Sequence, residues 1–302
     1  LRKRFPTVDF TDCYMNPILR KSGLTPDQLM RKQLYSLLKP RAQDAGVNIL
    51  GNCFETDETS ELVKIIRLAK RPLRDITQCR TYEDYQQMAA STLHIAYNPP
   101  AKVGGQTLAN RLGGTFLYLP LSYTPQVIRR NLQTLCTALD VTYDPAEDEA
   151  RAQQALRHAK ALLGDTEIAI DYTATPAPMS LARCLIEHGL RVSRIYADSI
   201  AADDLDDFCW LRENAPDVNL YATVEVKLRV LPRRTERPML AIGQKAAYFT
   251  GTRHFVNIVE GGGMYGFDGI CRLCARIEEA FLTARDPRNY IQQKGLGCES
   301  CL

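Results

Sequence analysis

The sequence predicts an α/β protein of two tandem Rossmann-like domains, each a parallel β-sheet flanked by helices. Three observations predict it. From Gly46 onward, short apolar runs alternate with longer stretches of helical period, and strand-helix alternation of this kind builds a parallel sheet covered on both faces. A polar, turn-rich segment at 140–148, DVTYDPAED, interrupts the alternation once, after which it starts again. The length of 302 residues is enough for two cores of ordinary size.

Residues 1–40 read as a lead-in arm, with a short strand, a loop through Asn16 and Pro17, and a helix from near Thr25. Thr25 is a suitable N-cap and Pro26 fits the first helical position. Leu29, Leu34, Leu37 and Leu38 give that helix an apolar stripe, which stops at Pro40. The first domain, 41–144, places strands at 47–50, 73–77, 93–97 and 116–119. Its helices are read at 58–70, with Leu62, Ile65, Ile66 and Ala69 on one face, and at 82–90, 101–112 and 125–139. The last carries Val127, Ile128, Leu132, Leu135 and Cys136.

The second domain, 145–285, opens with a helix at 149–163 that Gly164 stops. Strands follow at 167–171, 191–196 and 218–221, with helices at 179–188, capped by Gly189, and at 203–214. The stretch 238–276 organises the rest: a strand at 239–242, a short helix ended by Gly251, a strand at 254–259, a glycine loop, and a long helix from Tyr265. Residues 286–302 form a polar, cysteine-containing tail, read as flexible.

Composition narrows the function classes. A formal charge of +3 with no basic stripe interleaved with aromatics argues against a nucleic-acid partner. No run approaches the roughly 18 apolar residues of a membrane span, and no signal-peptide core opens the chain, so a cytoplasmic protein without a membrane partner is expected. Ten cysteines in such a length are too few for a disulfide scaffold and fit buried thiols in a reducing compartment.

Several residues carry candidate chemistry. Gly261, Gly262 and Gly263 lack Cβ atoms, so their loop can take positive φ and let its backbone approach a ligand. Asp268 stands in the first turn of the helix that follows, where a carboxylate favours the positive end. Cys298 and Cys301 are spaced to hold one metal or cluster iron, or to close a redox disulfide; an uninvolved tail is the plainer reading. Cys271 and Cys274, three apart on a helix with Ile270, Leu273 and Ile277, read as core thiols. Cys13 and Cys53 lie near strand ends where ligands sit, with packing as the simpler reading. His94, His158, His188 and His254 show no paired metal spacing, and His188 before Gly189 suits a helix C-terminus. Gly104 and Gly105 open the helix after the third strand, where an anion could be held beside Lys102.

Four segments, in order, resemble the nitrogenase component 1 family. They are FTDCYMNPILRKSG with its helix, VNILGNCFETDETSELVKIIRL, AASTLHIAYNPPAKVGGQTLANRLGGTFLYLPLSYTPQVIRRNLQTL, and MYGFDGICRLCARI. The resemblance implies Rossmann-like domains packed around a metal-cofactor or substrate cavity, of which this chain carries the second and third. It implies a homologous partner subunit in a homo- or hetero-oligomer and an ATP-dependent iron-sulfur reductase that delivers electrons. An iron-sulfur cluster or another metal cofactor is implied too.

Two departures argue against a molybdenum-iron cofactor. Ala96-Tyr97-Asn98-Pro99 stands where the family's catalytic subunit has its cofactor cysteine, and Tyr265 where it has its histidine. Asn98 and Tyr265 become polar contacts instead, with Asp268 orienting the glycine loop. The expected site is a cleft lined by loops 51–54, 97–105, 122–124, 173–176 and 261–266. Two functions stay open at this point: an oxidoreductase subunit or fragment of the nitrogenase component 1 type, and a non-catalytic scaffold for a metal cofactor or tetrapyrrole.

Overall fold

The computed structural model describes residues 1–14, 23–230 and 237–287. It has two compact units, and the division is not a single cut. The first comprises Leu1–Glu58, Leu62–Pro120 and Asn131–Tyr143; the second comprises Thr59–Glu61, Leu121–Arg130 and the chain from Asp144 onward.

The first unit is built on four parallel strands, β1 (Val47–Leu50), β2 (Leu73–Asp75), β3 (Leu93–Ala96) and β4 (Thr115–Tyr118), in the order β2-β1-β3-β4. Every residue of β1 and β3 is buried, as central strands covered on both faces must be. Its helices are α1 (Pro26–Ser36), α2 (Glu61–Leu68, whose first residue groups with the second unit), α3 (Tyr82–Gln87), α4 (Lys102–Leu112) and the later turns of α5 (Pro125–Leu139). Tyr35, Leu38, Leu50, Met88, Ala96, Ala101 and Leu108 pack into one core cluster. Thr25 caps α1 in a capping box with Gln28, and Pro26 is its first residue.

The second unit holds five parallel strands, β5 (Glu167–Asp171), β6 (Arg191–Tyr196), β7 (Asn219–Tyr221), β8 (Met239–Ile242) and β9 (Phe255–Val256), ordered β7-β6-β5-β8-β9. Counted within the unit this is 3-2-1-4-5, the doubly wound order, whereas the first unit runs 2-1-3-4. Around it lie α6 (Ala146–Leu163), α7 (Pro178–Glu187), α8 (Leu205–Asn214), α9 (Gln244–Thr250) and α10 (Gly266–Leu282). Ala169, Tyr196, Met239, Ala241, Ala246, Ala247 and Phe255 pack into one of its core clusters.

Three expectations need correction. The described part of the arm, residues 1–14, contains turns and irregular chain but no strand. The strand expected at 254–259 is only Phe255–Val256, because its one neighbour, β8, ends at Ile242 and leaves the residues beyond without a pairing edge. Helix 203–214 begins as a 3-10 turn at Ala202–Asp204 before α8.

Candidate functional site

In open parallel sheets a ligand sits beyond the carboxyl ends of the strands, where the chain order reverses. The first unit reverses between β1 and β3, and the second between β5 and β8.

At the first reversal, β1 runs into Gly51, whose φ of +78° places it in the left-handed region. A Cβ there would lie 2.1 Å from Ala101 Cβ, so glycine is needed both for the turn and for the approach of the chain that begins α4. Across from it, β3 ends in Tyr97 and Asn98. Asn98 is 3% exposed. Its Nδ2 donates a long bond of 3.4 Å to Gly51 O, while its Oδ1 is buried with no partner among the described residues. A buried carbonyl left unpaired costs about 1–3 kcal/mol, so this atom is held against the interest of the fold.

Asn52 Oδ1, on the same edge, is likewise buried with no partner among the described residues. Asn52 Nδ2 donates to both oxygens of Asp75 at 2.9 Å, and Thr56 Oγ1 lies 3.0 Å from the Tyr97 hydroxyl. Burial raises the Tyr97 phenol above its ordinary range, so it is a neutral donor. Gly104 and Gly105 do not offer backbone to an anion: Cβ positions there would meet the Tyr35 ring at 3.0 Å and the Phe116 ring at 2.2 Å. Lys102 Nζ lies 4.6 Å from the Tyr118 ring centroid.

Helix α1 brings residues that the sequence reading missed. Asp27, Arg31 and Tyr35 stand four apart, so they line one face, and Arg31 and Tyr35 are buried. Tyr35 Oη is buried with no well-formed hydrogen bond among the described residues, and burial, against the pull of Arg31, pushes its pKa up to about 12. Arg31 Nε lies 3.2 Å from Asp27 Oδ1, and Arg31 Nη2 lies 3.6 Å from Cys53 Sγ. The i, i+4 ladder of Asp, Arg and Tyr was the available signal, obscured by the leucines that share the helix.

The second reversal is closed by its own backbone. Asp171, fully buried, accepts from Thr173 N at 2.8 Å and Ala174 N at 3.2 Å through Oδ1, and from Ala246 N at 2.7 Å through Oδ2. Burial raises its pKa against the pull of these bonds. Gly243, at φ +107°, presses so close that a Cβ would sit 2.2 Å from Asp171 Oδ2.

Gly261, Gly262, Gly263, Tyr265 and Asp268 fall on one turn of this unit. The three glycines do take positive φ, +78°, +57° and +81°. Glu260 N bonds Thr173 O, Gly261 N bonds Ala174 O, and Gly262 N bonds Val259 O, so those amides are engaged within the fold. Tyr265, 3% exposed, is the extended N-cap of α10. Asp268 N donates to Glu61 Oε1 at 2.9 Å, and Asp268 Oδ2 accepts from Thr59 Oγ1 at 2.7 Å. The carboxylates of Glu61 and Asp268 thus stand in the first turns of α2 and α10, where the helix ends are positive.

The cysteines divide. Cys274 is buried in α10, and burial raises its thiol to about 12. Cys13 and Cys53 are exposed, against the expectation that they pack. Cys13 lies in irregular chain, and Cys53 lies beyond the last paired residue of β1. Cys298 and Cys301 lie outside the described residues. His188 Nδ1 donates to Cys184 O at 2.7 Å at the end of α7, as a C-terminal histidine should.

The family model for nitrogenase component 1 type oxidoreductases matches residues 27–282. The chain belongs to that family. A solved structure described as nitrogenase Cp1 at pH 6.5 superposes with a TM-score of 0.61 at 15% identity, covering 85% of this chain and 64% of that one. At that identity the likeness shows the shared fold, and this chain spans less than two thirds of that relative. Aspartate transcarbamoylase from Trypanosoma cruzi, bound to N-(phosphonacetyl)-L-aspartic acid, matches over 90% of this chain and 98% of its own at 11% identity, with a TM-score of 0.28 that carries no argument. No curated protein matches.

The family generally binds metal clusters. Among the described residues, no three His, Cys, Asp or Glu lie together as a metal ion would require. The β1–β3 edge offers, among the described residues, amides, phenols, the Asp75 carboxylate, the Arg31 guanidinium and one thiol, Cys53. Among the described residues that set does not supply the several thiolates that hold a cluster. Among the described residues, no helix is long and apolar enough to cross a membrane.

Proposed function

We propose that this chain is a subunit of a nitrogenase component 1-type oxidoreductase that shapes a reductive site. In this reading a homologous subunit pairs with it, and an ATP-dependent iron-sulfur reductase supplies low-potential electrons in the cytoplasm. The supporting observation is the unpaired Oδ1 of Asn98, buried at the chain reversal of a sheet that belongs to this family. A fold keeps such an atom when something else needs it. Asn98 is assigned the contact with the bound ligand, Tyr97 the neutral wall beside it, and Gly51 the close approach of the loop. Within the second unit, Tyr265, Asp268 and Gly261 to Gly263 are assigned polar contacts of their own with a ligand. Cys298 and Cys301 are assigned to any iron the chain itself holds.

The missing thiol at Ala96-Tyr97-Asn98-Pro99 favours a second reading, a non-catalytic module that holds a metal complex or tetrapyrrole and hands it on. Iron and acid-labile sulfide content, with a visible spectrum, separates the two on protein purified without oxygen. The oxidoreductase reading expects stoichiometric iron that is lost in Cys298→Ser/Cys301→Ser. Colourless protein without iron in either form leaves the handing-on module as the better description.

A further inference from the structure

Cys53 differs from the other described cysteines in having a buried cation at its sulfur. It is exposed and in no disulfide, and Arg31 Nη2 reaches to 3.6 Å of Sγ. The Arg31 side chain is 10% exposed. Burial works against its charge, yet the bond to Cys53 and the attraction of Asp27 outweigh burial and raise its pKa. A poorly hydrated guanidinium pointed at sulfur favours the thiolate, the reactive form. Asp27 and Tyr35 are the other ionisable groups that share this neighbourhood.

Two further atoms mark the place as built to receive something. Tyr35 Oη, on a residue 1% exposed, lies under the influence of Arg31, makes no well-formed hydrogen bond among the described residues, and lies 3.4 Å from where a Gly51 Cβ would be. Asn98 Oδ1, without a partner among the described residues, belongs to the amide that touches Gly51 O. Both adjoin the loop that carries Cys53, two residues on from Gly51.

We propose that Cys53 is a site of thiol-disulfide exchange with a small, peptide-like disulfide, with Arg31 holding the thiolate and Tyr35 and Asn98 accepting from N–H groups of the adduct. In the step, Cys53 Sγ attacks one sulfur of the disulfide. The S–S bond breaks, a new bond forms from Cys53 Sγ to that sulfur, and the second sulfur leaves as a thiolate that takes the proton Cys53 gave up. Cys53 is oxidised and the departing thiol is reduced, so electrons balance. Such an adduct would occupy the β1–β3 edge and make it redox-gated, whether that edge serves reduction or carriage.

The test treats the chain with oxidised glutathione and maps adducts by mass spectrometry over time, at several pH values from 6 to 8. Cys13, also exposed and with no cation at its sulfur among the described residues, is the internal reference. The expected result is modification of Cys53 about tenfold faster than of Cys13 at pH 7, falling to the reference rate in Arg31→Gln and partly retained in Arg31→Lys. An unchanged far-UV circular dichroism spectrum and urea midpoint in both variants show that the fold survives. In Asn98→Leu the adduct on Cys53 should form more slowly while alkylation by iodoacetamide is unchanged. Equal rates at Cys53 and Cys13, or a Cys53 rate indifferent to Arg31, would overturn the proposal.

Discussion

The two sheets meet the same geometric problem at their chain reversals and solve it differently. At β5–β8, the buried carboxylate of Asp171 accepts from three backbone amides of the turns around it. At β1–β3, Asn98 makes one long bond and leaves a buried oxygen unpaired. Both ends are buried, so burial does not distinguish them. What distinguishes them is whether the fold has used its own polar atoms. A reversal whose polar groups are consumed is structural, and one that keeps an unpaired acceptor is available to a ligand.

The largest effects should come where the two ends are alike. Gly243→Ala forces a Cβ to 2.2 Å from Asp171 Oδ2 at φ +107°, and Gly51→Ala forces one to 2.1 Å from Ala101 Cβ at φ +78°. Each should lower unfolding free energy in urea by about 4 kcal/mol, because overpacking and left-handed strain act together. Asp171→Ala should follow at about 3 kcal/mol, since it strands the amides of Thr173, Ala174 and Ala246.

Acid and base titration should separate the units next. His94, buried in β3 with Nδ1 3.0 Å from Asn48 Nδ2, is depressed by burial from 6.5 to about 4. Its neutral form is the folded one, so the unfolded chain binds the extra proton. Stability from this group is therefore complete above pH 6.5 and lost as pH falls toward 4, about 3 kcal/mol in all. Asp204 in the second unit accepts from Met179 N and Ser180 N, and burial raises it from 3.8 to about 7. Its sign is opposite: stability is complete below pH 3.8 and lost as pH rises through about 7. Because the two contributions oppose each other, urea titrations from pH 4 to 7 should show stability that falls with rising pH in His94→Gln and climbs with rising pH in Asp204→Asn. The smallest expected effect is Thr25→Ala, which removes the α1 capping box for about 1 kcal/mol by the same assay.

Much of this architecture was legible in the chain. Apolar runs such as Val47–Leu50 and Met239–Ile242 gave strand positions to the residue, because fully buried strands leave few alternatives. Their order in the sheet was not legible, since it depends on which long-range pairs form. The site was legible in type more than in environment. Asn98 could be picked out through the family resemblance, at the strand end where the family's catalytic subunit has its cofactor cysteine, but its unpaired oxygen depends on where Gly51 O and α4 lie. The glycine turn revealed its positive φ, yet not that Glu260, Gly261 and Gly262 spend their amides on neighbouring carbonyls. Arg31 and Cys53 are 22 residues apart and meet only because α1 lies against the loop that leaves β1.

The central claim is that Asn98 is kept for a ligand and not for the fold. Urea unfolding of Asn98→Leu, of similar volume but without polar atoms, tests it most directly. Removing an unpaired buried carbonyl should leave stability unchanged or raise it by about 1 kcal/mol, as at a site where function is bought with stability. A loss of about 2 kcal/mol or more would contradict the claim, because Asn98 would then be holding β1 and β3 together in the way that Asp171 holds its own turn.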